Sequence, residues 1–205
     1  MWPTTLPACD VLVWPTTQPQ LVLSAAAANP IVISIRTDYG NDRTKARQQI
    51  RQAVCECLSL LLDRSVFPTD LQSIPGQPLR LHGSDIGLSL SHEAGCSVAA
   101  INLQGAVGVD LQRGSTPADF FPDWAAVAAD YLAPELVLQL QQASEIARPL
   151  LFAMAWSRTE AELKCRGQAL QERRKLAALQ HAPYRYWSLN LPDGLVGTLV
   201  TLVPD

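Results

Sequence analysis

The chain has 205 residues, enough for one large domain or two small ones with a substantial core. Apolar residues make up 48% and charged residues 17%, an ordinary globular balance. A formal net charge of −3 excludes a global affinity for nucleic acid, so any basic site has to be local.

In chain order, residues 11–14 (VLVW) read as a short strand closed by Pro15. Residues 21–23 and 31–35 are further strand candidates, rich in β-branched side chains, with a turn over 25–30 between them. Gly40 and Asn41 stop the last strand and can cap a helix. From Thr44 the period changes: Ile50, Val54, Cys57, Leu58, Leu61 and Leu62 share one helical face. Arg43, Arg47 and Arg51 form a row on another face, which on its own is equally a solvated surface. Residues 75–78 (PGQP) are turn chemistry. Residues 86–90, 96–101 and 106–109 alternate as strands joined by two short loops, and predict a three-stranded meander. Beyond Asp110 helices are predicted over 124–132, 134–142 and 146–166, the last ended by Gly167. Residues 186–191 and 195–203, around Pro192-Asp193-Gly194, form a terminal hairpin. Helix and antiparallel strand in each half predict an α+β fold, not an alternating parallel one.

The five cysteines, Cys9, Cys55, Cys57, Cys96 and Cys165, show no CxxC spacing. Cys55 and Cys57 diverge by about 200° on a helix and make a poor metal pair, so reduced thiols are expected. Residues 1–35 are apolar but broken by Pro3, Pro7, Pro15, Pro19 and Pro30, and lack a basic leader. A signal peptide is therefore not expected, nor a membrane span, since no run approaches ~20 apolar residues. The expected compartment is the cytoplasm.

Three places carry candidate chemistry. Ser91-His92 ends a strand at a tight loop, where a histidine can touch a phosphate or simply face water. In Val107-Gly-Val-Asp-Leu-Gln-Arg113, Asp110 ends an apolar run with Gly108 two residues before it. That suits close approach of a metal–phosphate ligand, although aspartate also caps turns. Phe152, Trp156, Glu160 and Lys164 follow one another at i+4, so a carboxylate and an ammonium extend an aromatic stripe. A charge on an inward stripe needs a partner, and the pair can serve each other. Glu162 points about 200° away and fits a solvated face. Walker, GxGxxG, HExxH and GxSxG motifs are absent, so the common nucleotide, dinucleotide, zincin and α/β-hydrolase readings lose support.

Taken in order, these pieces resemble the 4′-phosphopantetheinyl transferase superfamily. The turn Gly76-Gln77-Pro78 is similar to its GKP turn, Ser91-His92 to its SH strand end, VGVDLQ to its GxD[IL]E metal motif, and WSRTEAELK to its WxxKExxxK helix. The resemblance covers about residues 43–203 and looks like the larger, pseudodimeric class. It implies two similar α+β halves related by a pseudo-twofold axis, here 1–104 and 105–205, with the site between them. It further implies Mg²⁺-dependent transfer of 4′-phosphopantetheine from coenzyme A to a serine of an apo acyl, peptidyl or polyketide carrier protein. Asp110, Gln112 and Glu160 would then surround the Mg²⁺. Asp110, Glu160 and Lys164 would be catalytic, with Glu160 removing the serine proton. Arg47, Gln77, Ser91, His92 and Lys164 would contact coenzyme A. Neither nucleic acid nor membrane would be a partner, and the chain would be a monomer. Gln112 stands where a third carboxylate is common, Gln77 replaces the lysine of GKP, and Thr159 replaces the lysine before the helix glutamate. These departures keep open an alternative: a weakened homologue that binds coenzyme A or docks on a carrier protein without transfer.

Overall fold

In a computed structural model, residues 6–26, 29–37, 43–74, 77–116, 119–172, 183–192 and 194–203 are described. Strand pairing sorts them into two sheets. The larger has six strands in the order β2-β3-β7-β6-β5-β4: β2 (Val11–Val13), β3 (Ile31–Thr37), β4 (Leu71–Gln72), β5 (Arg80–Leu81), β6 (Gly87–Glu93) and β7 (Gly95–Asn102). The smaller has four in the order β1-β9-β10-β8: β1 (Ala8–Cys9), β8 (Val107–Arg113), β9 (Tyr184–Leu189) and β10 (Leu195–Leu202). With five α-helices among the described residues, the fold is mixed α+β, as the sequence pattern predicts. The first strand belongs to the second sheet: Ala8 and Cys9 run parallel to Ser188 and Leu189.

Helix α2 (Arg43–Leu62) covers the larger sheet. Its apolar stripe of Ile50, Val54, Cys57 and Leu58 is buried with Ile33, Leu88, Ala99 and Ile101. Helix α5 (Arg148–Cys165) covers the smaller sheet. It sits so close to β8 that a Cβ on Gly108 would lie 1.9 Å from the Ala161 carbonyl oxygen, so only glycine fits there. Ser157, fully buried, donates to the Asp110 carbonyl at 3.0 Å and meets Thr198 Oγ1 at 3.2 Å, fixing the helix in rotation and height. Helices α3 (Trp124–Tyr131) and α4 (Pro134–Gln142) build a separate apolar cluster around Phe152 and Leu140.

Two expectations are corrected. Residues 21–23 are not a strand but the middle of helix α1 (Pro19–Ala26). Pro19 starts it with a pre-set φ, and Val22 and Ala26, four apart, are its buried positions, so the operative period is helical. The predicted meander breaks after its second strand. β7 already has β3 on one edge and β6 on the other, so β8 has no edge to join and pairs with β10 in the other sheet. β4 and β5, two residues each, are too short to show alternation and were not predicted. The predicted stop over 38–42 and the residues Pro75 and Gly76 of the turn lie outside the described residues.

The sheets meet where β8 turns its unpaired edge to the side chains of β6. Ser89 Oγ accepts from Val109 N at 3.0 Å, and Ser91 Oγ accepts from Leu111 N at 3.1 Å. Val32, Val98 and Ala100 from one sheet and Val107, Val109, Leu111 and Leu199 from the other share the core behind this seam. All five cysteines are free thiols. Among the described residues no helix is long and apolar enough to cross a membrane.

Candidate functional site

A cavity of about 910 Å³ opens beside the seam, walled by β6, β8, α2 and α5. Its volume falls within the usual range for small-molecule sites. The eight residues to which the resemblance gives a site role line it: Arg47, Gln77, Ser91, His92, Asp110, Gln112, Glu160 and Lys164. The fifty residues between Asp110 and Glu160 are spanned because α5 folds back directly over β8.

Asp110 is only 2% exposed, and its carboxylate is closely surrounded by donors. Ser91 Oγ donates to Oδ1 at 2.9 Å, Lys164 Nζ to the same oxygen at 2.7 Å, and Gln112 Nε2 to Oδ2 at 2.9 Å. A buried carboxylate needs such partners, because desolvation otherwise costs several kcal/mol (about 3–5 when one partner of a buried pair is removed). The Lys164 ammonium also donates to Leu90 O at 3.3 Å and Val109 O at 3.1 Å. Its three protons are thereby directed at β6, β8 and Asp110. Lys164 sits at the seam as the counter-ion of Asp110.

Glu160 lies one helical turn before Lys164 on the same face. The Trp156 indole N–H donates to its Oε1 at 2.9 Å. Burial raises the Glu160 carboxyl, and the charge of Asp110 adds to the rise; Lys164 and the Trp156 hydrogen bond oppose it. Two carboxylates thus interact closely while the one ammonium is bonded to Asp110, an arrangement that favours a proton or a second cation on the pair. The available donors are hard oxygens: Asp110, Glu160 and the amide oxygen of Gln112. Among the described residues no group of three or more His, Cys, Asp or Glu side chains gathers as a metal site. Gln112 turns its amide nitrogen to Asp110 Oδ2 and supplies no third negative charge.

Comparison of the sequence with protein-family models and with curated proteins finds no match in either. The functional reading therefore stands on the geometry and on the motif resemblance.

The opposite wall is basic. Arg47 and Arg51, one turn apart on α2, line the cavity together with exposed Gln77. His92 Nδ1 meets Ser97 Oγ at 2.8 Å, and Ser97 Oγ meets Thr37 Oγ1 at 3.1 Å, a polar chain across β6, β7 and β3 that fixes the imidazole. Sequence reasoning did not single out Ser89 or Ser157, and it left Arg51 within a surface row. Ser89 and Ser91 carry a usable signal: serines two apart, alternating with Leu88 and Leu90, put hydroxyls on one face of a buried strand. Ser157 lacks such a signal, because a single serine in a helix does not announce its partner on another strand.

Proposed function

We propose that this chain is a Mg²⁺-dependent 4′-phosphopantetheinyl transferase, acting on coenzyme A and an apo acyl, peptidyl or polyketide carrier protein. The observation that carries the reading is the buried Asp110 beside Glu160 in a cavity also lined by Arg47, Gln77, Ser91, His92, Gln112 and Lys164. Support for two pseudo-symmetric halves, 1–104 and 105–205, is that each main sheet is covered by one long helix, α2 or α5. A cytoplasmic monomer is proposed with it.

Asp110, Glu160 and Gln112 would hold the Mg²⁺, whose chemistry when bound is to neutralise pyrophosphate charge and polarise the phosphorus under attack. Lys164 and Ser91 orient the Asp110 carboxylate. Glu160 acts as general base. Oε1 is engaged by Trp156, so Oε2 takes the proton of the carrier serine. Its raised affinity for a proton suits that task. The serine oxygen forms a bond to the β-phosphorus as the pyrophosphate P–O bond breaks. Adenosine 3′,5′-bisphosphate leaves with the electron pair.

The test is incubation with coenzyme A, Mg²⁺ and a panel of apo carrier proteins, read by intact mass. One carrier should gain a phosphopantetheine arm; a panel wholly unmodified at every Mg²⁺ concentration rules out the transferase. One observation favours the weakened homologue instead: the Gln112 amide closes on Asp110 where a third carboxylate would hold a cation. If wild type is inert and Gln112→Glu restores transfer, that second reading stands. In an active enzyme, Gln112→Glu should lower the Mg²⁺ concentration for half-maximal rate several-fold, because added negative charge strengthens binding of a hard cation.

A further inference from the structure

Glu93, at the end of β6, also lines the cavity. Strand register shows where it stands. Side chains alternate along β6, so Ser89, Ser91 and Glu93 share one face. Ser89 Oγ takes the Val109 amide and Ser91 Oγ the Leu111 amide, so a step of two along β6 matches a step of two along β8. Asp110 and Gln112 are likewise two apart on one face of β8, and Ser91 meets the Asp110 carboxylate there at 2.9 Å. Glu93 therefore stands to Gln112 as Ser91 stands to Asp110. Its side chain is half-buried, and the donor it meets is the Ala94 amide at 3.4 Å, a weak contact that side-chain rotation releases. Arg113, level with it on β8, directs its guanidinium to the Ala94 carbonyl. Among the described residues no lysine or arginine pairs with the Glu93 carboxylate. Beside Gln112 the cavity wall thus carries the negative charge that the amide lacks.

We propose that Glu93 supplies the third negative charge of the cation site, accepting a hydrogen bond from a metal-bound water. The inference rests on the proposed Mg²⁺ reading. Asp110, Glu160 and Glu93 do not gather as direct ligands, and a strongly hydrated cation keeps several of its waters, so a carboxylate beyond the direct ligands has a proton to accept. A carboxylate in that place orients the water and adds its charge to the attraction. The charge missing at Gln112 on β8 is thereby returned from the neighbouring strand β6. Glu93 positions the cation and does not touch the reacting atoms.

The experiment titrates the whole chain with Mn²⁺, a paramagnetic substitute for Mg²⁺, and reads free Mn²⁺ by electron paramagnetic resonance, with and without coenzyme A. Glu93→Gln should weaken Mn²⁺ binding by about tenfold, the scale of losing a partner beyond the direct ligands. Returning the carboxylate on β8, in the double variant Glu93→Gln with Gln112→Glu, should bring the affinity back close to wild type. A merely structural Glu93 would show no such rescue. Glu162→Gln removes the same charge from the outer face of α5, where water and salt screen it, and should leave Mn²⁺ affinity unchanged. Glutamine is near-isosteric with glutamate at this half-buried position, and urea denaturation checks that each variant folds. If Glu93→Gln binds Mn²⁺ as wild type does while Asp110→Asn does not, the Glu93 assignment falls and the metal site stands. A double variant as weak as Glu93→Gln has the same meaning. Equal binding by wild type and Asp110→Asn, or no binding by wild type in either condition, overturns the Mg²⁺ reading and this inference with it.

Discussion

Helix α5 carries two glutamates two residues apart, and the helix turns them into different chemical groups. Glu160 faces the cavity, where burial and Asp110 raise its carboxyl and the Trp156 indole holds one oxygen. Glu162 faces the other way. There Arg158 Nε donates to Oε1 at 2.9 Å and the Tyr186 hydroxyl to the same oxygen at 2.9 Å, with the guanidinium stacked 3.9 Å above the Tyr186 ring. One glutamate meets a like charge and the other a cation. Reactivity is assigned by which face of the helix a residue occupies, and Ser157 and Gly108 fix that rotation.

The largest effect should come from removing the partner that makes the cavity face unusual. Asp110→Ala should abolish transfer at every Mg²⁺ concentration and destabilise the fold by about 3 kcal/mol, since Lys164 and Ser91 lose their acceptor. Mass spectrometry reads the first effect and urea denaturation the second. Retention of the wild-type rate would remove Asp110 from the mechanism. Next comes a direct comparison of the two faces. Glu160→Gln should lower transfer by about 10²–10⁴-fold, whereas Glu162→Gln should leave it within about twofold and cost roughly 0.5 kcal/mol as a partly exposed ion pair.

Stability should separate the two glutamates as well. A carboxyl raised in the folded state contributes stability at low pH that is lost as pH rises from the unfolded value, 4.5, through the folded one. Metal-free Glu160→Gln should therefore match wild type near pH 4 and melt higher than wild type at pH 8. Equal melting at both pH values would mean that Glu160 carries no such penalty. The smallest effect concerns the outer face. Burial first, then the charge of Glu162, pushes the Tyr186 phenol up to about 12. Its stabilising contribution is complete below pH 10 and lost as pH rises toward 12. Tyr186→Phe should be less stable by about 1 kcal/mol at neutral pH, through loss of the Glu162 hydrogen bond. Alkaline melting curves should show that this gap narrows above pH 10.

The cavity face of α5 was legible because Phe152, Trp156, Glu160 and Lys164 repeat at one helical turn, and a polar residue that continues an apolar stripe must find a partner inside. The partner itself was placed by the resemblance, since spacing along the chain carries no information about which strand a helix covers. Lys164 shows the limit. Its position was legible, but not its bonds to Leu90 and Val109, which are backbone atoms that any sequence would supply. The departure of β8 was hidden for a related reason. A strand looks the same whichever sheet it joins, and only the occupied edges of β7 decide. At Leu21–Leu23 a run of three apolar residues fits either period, and the Pro19 start and the alanines that follow settle it as helix.

The hydroxyl seam between the sheets has a consequence for solubility. β8 ends its sheet, and an edge strand offers a row of unpaired N–H and C=O groups to any passing chain. Here Ser89 and Ser91 take the Val109 and Leu111 amides, and Lys164 takes the Val109 carbonyl. Three side chains occupy the places that a foreign strand would need, so this edge is closed against intermolecular pairing without being hydrogen-bonded to another strand.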